Sequence, residues 1–561
     1  MSSPYGKVDE HEHVRLQARR KTRKNIAIIA VSLVILAGIV IGAVFGTMAH
    51  KKSSETVETN NNGDSISVSV KAVCDVTLHK DKCFETLGSA PNASSLNPEE
   101  LFKYAVKITI TEVSKALNAF SSSLGDEKNN ITMNACAELL DLTIDNLNNT
   151  LTSSANGGVT VPELVDDLRT WLSSAETYQE TCVETLAPDM KPFGESHLKN
   201  STELTSNALA IITWLGKIAD SFKLRRRLLT TVDVEVDVHA GRRLLQSTDL
   251  RKVADIVVAK DGSGKYRTIS RALEDVPEKS EKRTIIYVKK GVYFENVKVE
   301  KKMWNVVVVG DGESKSIVSG RLNVIDGTPT FKTATFAVFG KGFMARDMGF
   351  INTAGPSKHQ AVALMVSADL AAFYRCTMNA YQDTLYVHAQ RQFYRDCTIM
   401  GTVDFIFGNS ASVLQNCRIL PRRPMKGQQN TITAQGRTDP NMNTGISIHR
   451  CNISPLGDLT DVKTFLGRPW KNFSTTVIMD SYLHGFVDRK GWLPWTGDSA
   501  PDTIFYGEYK NTGAGASTKN RVKWKGLRFL YTKEANRFTV KPFIDGGRWL
   551  PATKVPYRSG L

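Results

Sequence analysis

Two aspartates stand where a lone charge is expensive. Asp404 lies in "GTVDFIFGN", flanked by Val403 and Phe405, and Asp383 lies in "AYQDTLY" beside Gln382. A carboxylate among apolar neighbours must be paired or put to use, because its desolvation is otherwise uncompensated. The two are 21 residues apart, the same interval that separates Cys376 from Cys397. If the chain coils with that pitch, the carboxylates fall on adjacent rungs, about 4.8 Å from each other. Two carboxylates so close in an apolar setting cannot both ionise comfortably, so one pKa rises while the other stays low. That is a general acid beside a nucleophile. Aspartates that merely cap successive turns would share the spacing, so the chemistry needs further partners.

The elements that must position the pair are strands. From Leu250 onward short Val-, Ile- and Phe-rich segments are broken by Gly, Asn and Asp, as in "RTIIYVKKGVYFENVKV", "NVVVVGDG" and "TATFAVFG". "AFYRCTM", "QFYRDCTI", "VLQNCRI" and "SIHRCNI" each set a cysteine between apolar or aromatic residues. These are Cys376, Cys397, Cys417 and Cys451, at spacings of 21, 20 and 34. A period near 20 with such strands predicts an all-β, right-handed parallel β-helix over residues 249–561, with insertions emerging as loops. "GDGESKSIVSG" and "DGSGK" lack the ending and following helix of a phosphate-binding loop and read as turns. His359, His388, His449 and His484 are scattered without ligand spacing. No metal site and no cofactor are expected.

Upstream the texture is helical. Over residues 71–220 apolar residues recur at helical spacing, as in "LFKYAVKITITEVSKALNAF", which predicts an all-α four-helix bundle. Cys74 and Cys83 are close in sequence, Cys136 and Cys182 are distant, and two disulfides are the economical assignment. Residues 221–248 read as a linker that repeats RRLL, at Arg226–Arg227 and Arg242–Arg243, an invitation to a processing protease. Residues 26–48 are uncharged and mostly apolar, long enough for a transmembrane anchor. The basic residues 1–25 keep the N-terminus cytoplasmic and send the remainder outward. Eight cysteines fit an oxidising compartment. Sequons at Asn92, Asn130, Asn148, Asn200, Asn452 and Asn472 fit a secreted glycoprotein.

Charge separates the two domains. Residues 71–220 carry 11 Lys and Arg against 21 Asp and Glu, net −10, and residues 246–561 carry 46 against 27, net +19. A basic domain outside the cell favours an acidic polysaccharide over nucleic acid, and docking of the acidic module on the basic one follows from attraction.

Motifs then sharpen the chemistry. "KHQAVAL" places Gln360 ahead of the aspartates, and "LGRPW" supplies Arg468 and Trp470. With "YQDTLYVHAQRQFYRDC" and "GTVDFIFGN", residues from about Leu250 to the C-terminus closely resemble the plant pectin methylesterases. "CDVTLHKDKCFETL" with the later cysteines resembles the invertase and pectin methylesterase inhibitor family. The resemblance implies hydrolysis of the methyl esters of homogalacturonan, the backbone of pectin, in the cell wall. It implies Asp404 as nucleophile, Asp383 as acid and base, and Gln360 and Gln382 as oxyanion donors. Arg468 would orient Asp404, and Trp470 and Thr330 would contact substrate. It also implies a Cys397–Cys417 bridge, and an inhibitor-like pro-region or separate inhibitor proteins as partners. After "QAVAL", where the family often has arginine, this chain has Met365.

Two other classes stay open on the residues themselves. Carboxylates about 5 Å apart would also suit a retaining glycosidase, and an inert β-helix carrying a silencing helical module would be regulatory. The two glutamines favour ester chemistry over the first, and retention of every catalytic position argues against the second.

Overall fold

The computed structural model describes residues 67–122, 127–155, 161–229 and 249–561. Residues 67–561 form one compact unit. Among the described residues no helix is long and apolar enough to cross a membrane; the anchor expected over residues 26–48 lies outside them.

The helical domain comprises α1 (Val68–Cys74), α2 (Lys80–Gly88), α3 (Pro98–Ser122), α4 (Glu127–Ala155), α5 (Val161–Thr185) and α6 (Lys191–Leu229). Its long helices bury one apolar face each, as Phe102, Val106, Val113 and Phe120 do on α3 at helical spacing. Disulfides join Cys74 to Cys83 and Cys136 to Cys182. The first staples α1 to α2 and the second α4 to α5. Helix α6 runs to Leu229, so Arg226 and Arg227 fall in its last turn, inside the segment read from sequence as a linker. Arg242 and Arg243 lie outside the described residues.

Residues 256–529 wind through three wholly parallel sheets of 11, 7 and 8 strands. In the seven-stranded sheet Leu364 pairs with Leu385 and Leu385 with Ile406, which fixes one coil at 21 residues. The next partners, Thr433 and Gly467, come later because loops interrupt the coil. Inward side chains stack rung on rung. Phe373 and Tyr394 lie face to face at 5.0 Å, next to Phe343 and Phe350. Burying one such ring stabilises the fold by about 1.5–3 kcal/mol. The helix Ile269–Leu273 plugs the first coil with Ile269, Ala272 and Leu273.

The cysteine repeat forms an interior column. Thr377, Thr398, Arg418 and Asn452 are ladder partners, so the preceding residues Cys376, Cys397, Cys417 and Cys451 stack as well. All four are buried free thiols, which corrects the expected Cys397–Cys417 bridge. In-register stacking brings the thiols within hydrogen-bond reach of one another, and proximity alone does not give the geometry a disulfide requires. Each thiol also meets backbone carbonyls. Cys397 Sγ donates toward Phe373 O at 3.4 Å and Cys417 Sγ toward Tyr394 O at 3.6 Å. Burial raises the thiol pKa of Cys397 and Cys451.

Candidate active site

Both aspartates occupy corners of successive coils, two residues before the paired Leu385 and Ile406. Asp383 has φ 63° and Asp404 φ 51°, in the left-handed region that aspartate tolerates better than most residues. Asp383 N–H donates to Val403 O at 3.0 Å, which locks one corner onto the next rung. The pair is therefore set by backbone rather than by side-chain rotamers.

The two carboxyls differ in partners. Arg468 Nε donates to Asp404 Oδ1 at 2.9 Å and Nη2 to Oδ2 at 2.6 Å, a fork that supplies the countercharge. Thr431 Oγ1 accepts from Asp404 N–H at 2.9 Å and donates to Oδ1 at 2.6 Å. Asp383 is 7 % exposed, and among the described residues its carboxyl makes no hydrogen bond. Burial, then the neighbouring Asp404, push the Asp383 pKa well above the ordinary carboxylate range, and Arg468 only partly offsets this. One carboxyl is paired with a guanidinium, and the other, whose pKa is raised, has no side-chain partner and is free to face a ligand.

One cavity of about 490 Å³ gathers the sequence-predicted positions. Thr330, Gln360, Gln382, Asp383, Asp404, Arg468 and Trp470 all line it. The side-chain amides of Gln360 and Gln382 have no hydrogen-bond partner among the described residues, which leaves both as donors toward the cavity. Its floor is an outward column of the seven-stranded sheet. In ladder order it reads Tyr386, Phe407, Ala434, Arg468. Tyr386 and Phe407 stack at 4.1 Å. Met365 is the next ladder partner beyond Tyr386 and is buried in the apolar cluster shared with the helical domain. Among the described residues no cluster of three His, Cys, Asp or Glu side chains could hold a metal.

Several contributors escaped the sequence. Thr431 lies 27 residues beyond Asp404, so a 21-residue ruler passes it by. Trp495 comes from a loop and caps the guanidinium of Arg468, 4.3 Å from its ring centroid. Thr181, Glu184 and Thr185 of α5 also line the cavity, so the helical domain sits over the site. A four-residue acidic interval on α5, Glu180 to Glu184, was the available signal.

The domains meet through one continuous apolar cluster. Tyr178 and Leu172 join Phe331, Met365, Tyr386 and Phe407 in it. Tyr178 Oη donates to Ser367 O at 3.3 Å, and Thr181 Oγ1 lies 2.9 Å from His388 Nε2. Burial lowers the His388 pKa to about 3, so the imidazole is neutral. Around this centre the ion pairs run one way. Asp167 meets Arg391 at 2.7 Å and Arg548 at 2.8 Å, and Lys298, Lys301, Lys332 and Lys471 each meet carboxylates of α4 or α5.

Comparison with known proteins agrees with this architecture. Residues 255–547 match the Pectinesterase family, and residues 68–211 match the Plant invertase/pectin methylesterase inhibitor family. The chain is 95 % identical over its whole length to pectinesterase/pectinesterase inhibitor 24 of Arabidopsis thaliana, whose whole length is covered. It is 44 % identical to pectinesterase 3 of Phaseolus vulgaris, with 99 % of this chain and 98 % of that protein aligned. The structure of pectin methylesterase from carrot superposes on 55 % of this chain and 98 % of its own, with TM-score 0.54 and 54 % identity. With its cavity framed by a β-helix and roofed by a helical domain, the chain belongs to the pectinesterases, carboxylic ester hydrolases of pectin, in the form that carries an inhibitor domain.

Proposed function

We propose that Asp404 is the nucleophile and Asp383 the acid and base of methyl-ester hydrolysis in this cavity. The observation that carries this reading is the Arg468 fork on Asp404 beside an unbonded Asp383 whose pKa burial raises. An Asp404 oxygen attacks the C6 carbonyl carbon of a galacturonate methyl ester. The oxygen that becomes negative is met by the Gln360 and Gln382 amides, whose loss should cost about 100-fold or more in kcat. The C–O bond to methanol breaks as Asp383 gives its proton to the leaving oxygen. The Asp383 carboxylate then takes a proton from water, which attacks the acyl-enzyme carbonyl and frees Asp404. Trp470 and Thr330 contact the sugar.

In the intact chain α5 roofs this cavity, so the helical domain acts as an inhibitor in cis. Its tether supplies a high effective concentration, which cutting removes. We place the cut at one of the RRLL sites, by a processing protease, giving a secreted enzyme that begins near Gln246 and acts in the cell wall. The test is methanol release from methyl-esterified pectin by the chain with a protease site inserted in residues 230–245. Cutting should raise activity at least tenfold, and Asp404→Asn should abolish it with unfolding unchanged. Equal activity before and after cutting rules out inhibition in cis, and activity of Asp404→Asn within tenfold of wild type removes the nucleophile assignment.

A further inference from the structure

A second cavity lies where the helical domain, the β-helix and the C-terminal helices meet. It encloses about 770 Å³, more than the reactive cavity, and shares no lining residue with it. Arg169 of α5 and Lys217 of α6 stand on one wall. Arg437, which follows the strand Asn430–Gln435, and Arg537, which follows the short helix Thr532–Asn536, stand on the other. Among the described residues none of these four cations forms an ion pair. Asp439 acts on both Arg169 and Arg437, yet its oxygens are taken by Asn441 N–H and Ser206 Oγ, each at 2.6 Å. Arg391 on the same lining is already matched by Asp167 and Asp369, and Asp545 by Arg548. Asp166 and Asp220 line the cavity without a cation partner among the described residues. Four unpaired cations against two unpaired carboxylates leave a surplus of two positive charges.

The guanidiniums are oriented but not neutralised. Arg169 Nε and Nη2 donate to Asn441 O at 3.3 and 2.8 Å, and Arg437 Nε donates to Asp439 O at 2.9 Å. The Arg537 guanidinium donates to nothing among the described residues. Burial, and then the neighbouring Arg169, bring the Arg437 pKa down to about 10. Burial lowers that of Arg169 as well, with Asp166 opposing and Arg537 adding to the effect. An anion set among them would replace this repulsion with charge-assisted hydrogen bonds. Much of the remaining lining is aromatic. Phe473, Phe505, Phe538 and Phe543 belong to it, with Phe505 and Phe538 stacked at 5.3 Å. A bare oxyanion would leave those rings unused, and a cavity of this volume suits an organic ligand.

We propose that this interdomain cavity binds a small aromatic dianion, such as a phosphate monoester or a dicarboxylate, with its charges on Arg169, Arg437 and Arg537 and its ring on the phenylalanines. Because α5 and α6 supply one wall, the site is complete only while the helical domain is docked. A ligand of the docked state alone tightens docking by the same factor by which docking tightens the ligand. At one hundred times its Kd that factor is about 100. The anion therefore acts as a co-inhibitor that holds the helical domain over the reactive cavity after the linker is cut. That consequence rests on the reading of the helical domain as an inhibitor in cis; the site itself does not.

The probe is phenyl phosphate, whose head carries about −1.5 to −2 charge at pH 7. It is titrated by calorimetry into the full uncut chain, with ionic strength held constant by sodium chloride. One equivalent should bind, and inorganic phosphate, which lacks the ring, should bind at least fivefold more weakly. Arg537→Gln removes a guanidinium that bonds nothing in the protein, so it tests the site without disturbing docking; it should weaken phenyl phosphate at least fivefold, as should Arg169→Gln. Lys519→Gln, at an exposed position outside the cavity, should leave binding unchanged. No binding by wild type, or equal affinity in Arg537→Gln, overturns the site. An equal loss in Lys519→Gln overturns it too, as nonspecific attraction, and equal affinity for inorganic phosphate overturns its aromatic half. A second arm uses the chain cut at a protease site in residues 230–245. Phenyl phosphate should lower the Kd between the cut halves at least tenfold in sedimentation, and Arg537→Gln should abolish that effect; binding with an unchanged Kd overturns the linkage. Neither arm measures turnover, so both stand or fall apart from the esterase chemistry. Tighter docking with undiminished methanol release would refute inhibition in cis and leave the site in place.

Discussion

The helical domain and the β-helix bring charge to one interface by different rules. On α4 and α5 the carboxylates recur at three- or four-residue steps, Glu138, Asp141 and Asp145, then Glu180 and Glu184, because those steps share a helix face. On the β-helix the cations come from distant coils, Lys298, Lys332, Arg391 and Lys471, and meet only because parallel register stacks them. The first pattern is local and can be read in a dozen residues. The second is set by the pitch of the whole solenoid. Inhibitor surfaces of this kind can therefore drift by single substitutions, whereas the groove they match is anchored by the fold.

The comparison is broken most severely at Arg468. Arg468→Ala leaves the buried Asp404 without its countercharge, which should cost about 3–5 kcal/mol in chemical unfolding and lower methanol release about 100- to 1000-fold. Arg468→Lys keeps the charge but not the fork and should restore stability more than activity. An Arg468→Ala protein as stable as wild type would show that the fork is not what makes the Asp404 corner tolerable.

A smaller effect is expected from the acidic helix face. Glu180→Gln with Glu184→Gln removes two partly exposed pairs to Lys471, each worth at most about 1 kcal/mol. Docking of the cut helical domain should weaken about fivefold, measured by titration of methanol release, and the wild-type interaction should weaken similarly as ionic strength rises. Salt-independent docking would mean that the apolar cluster alone holds the domains.

The pH response sharpens the same contrast. Glu176 is buried in the interface, where Thr438 Oγ1 donates to its Oε1 at 3.0 Å, and burial followed by Asp439 raises its pKa well above the usual value. The docked state therefore holds a proton that the separated domain releases more easily. Docking is favoured fully below the free glutamate pKa and is lost as pH rises through the docked value. Glu176→Gln should flatten that dependence across the window. An equally steep curve in the variant would assign it to other groups. Asp383 carries the parallel sign for catalysis, with activity falling as pH rises through its raised pKa.

The least effect belongs to the thiol column. Cys397→Ala with Cys417→Ala removes two sulfurs from the interior and should cost about 1–2 kcal/mol, with turnover unchanged. A loss of about 2–5 kcal/mol, together with only two titratable thiols in the unfolded wild-type chain, would instead reveal a bridge.

Much of the site was legible because its chemistry contradicts its surroundings. Asp404 is conspicuous among Val403, Phe405 and Ile406, and the shared 21-residue interval sets Asp383 on the adjacent rung. That ruler failed once loops lengthened the coils, so Thr431 was missed although it touches Asp404 directly. Trp495 and Lys471 were invisible for a related reason: Trp495 borders the cavity and Lys471 meets the carboxylates of α5, and no short-range pattern encodes either contact. The expected cystine misled because equal spacing stacks cysteines without deciding whether their sulfurs join.

A solenoid is held rung to rung, so its stability is close to a sum of nearest-neighbour terms, and its coils can fray independently from either end. The shared apolar cluster changes that arithmetic, for the helical domain touches Phe331, Met365, Tyr386, Phe407 and Met442, residues from five separate coils and loops, at once. It acts as a lateral splint that makes distant rungs open together or not at all. The intact chain should melt in one sharp transition, and release of the helical domain should broaden it, so that the event which uncovers the groove also returns to the β-helix its rung-by-rung freedom.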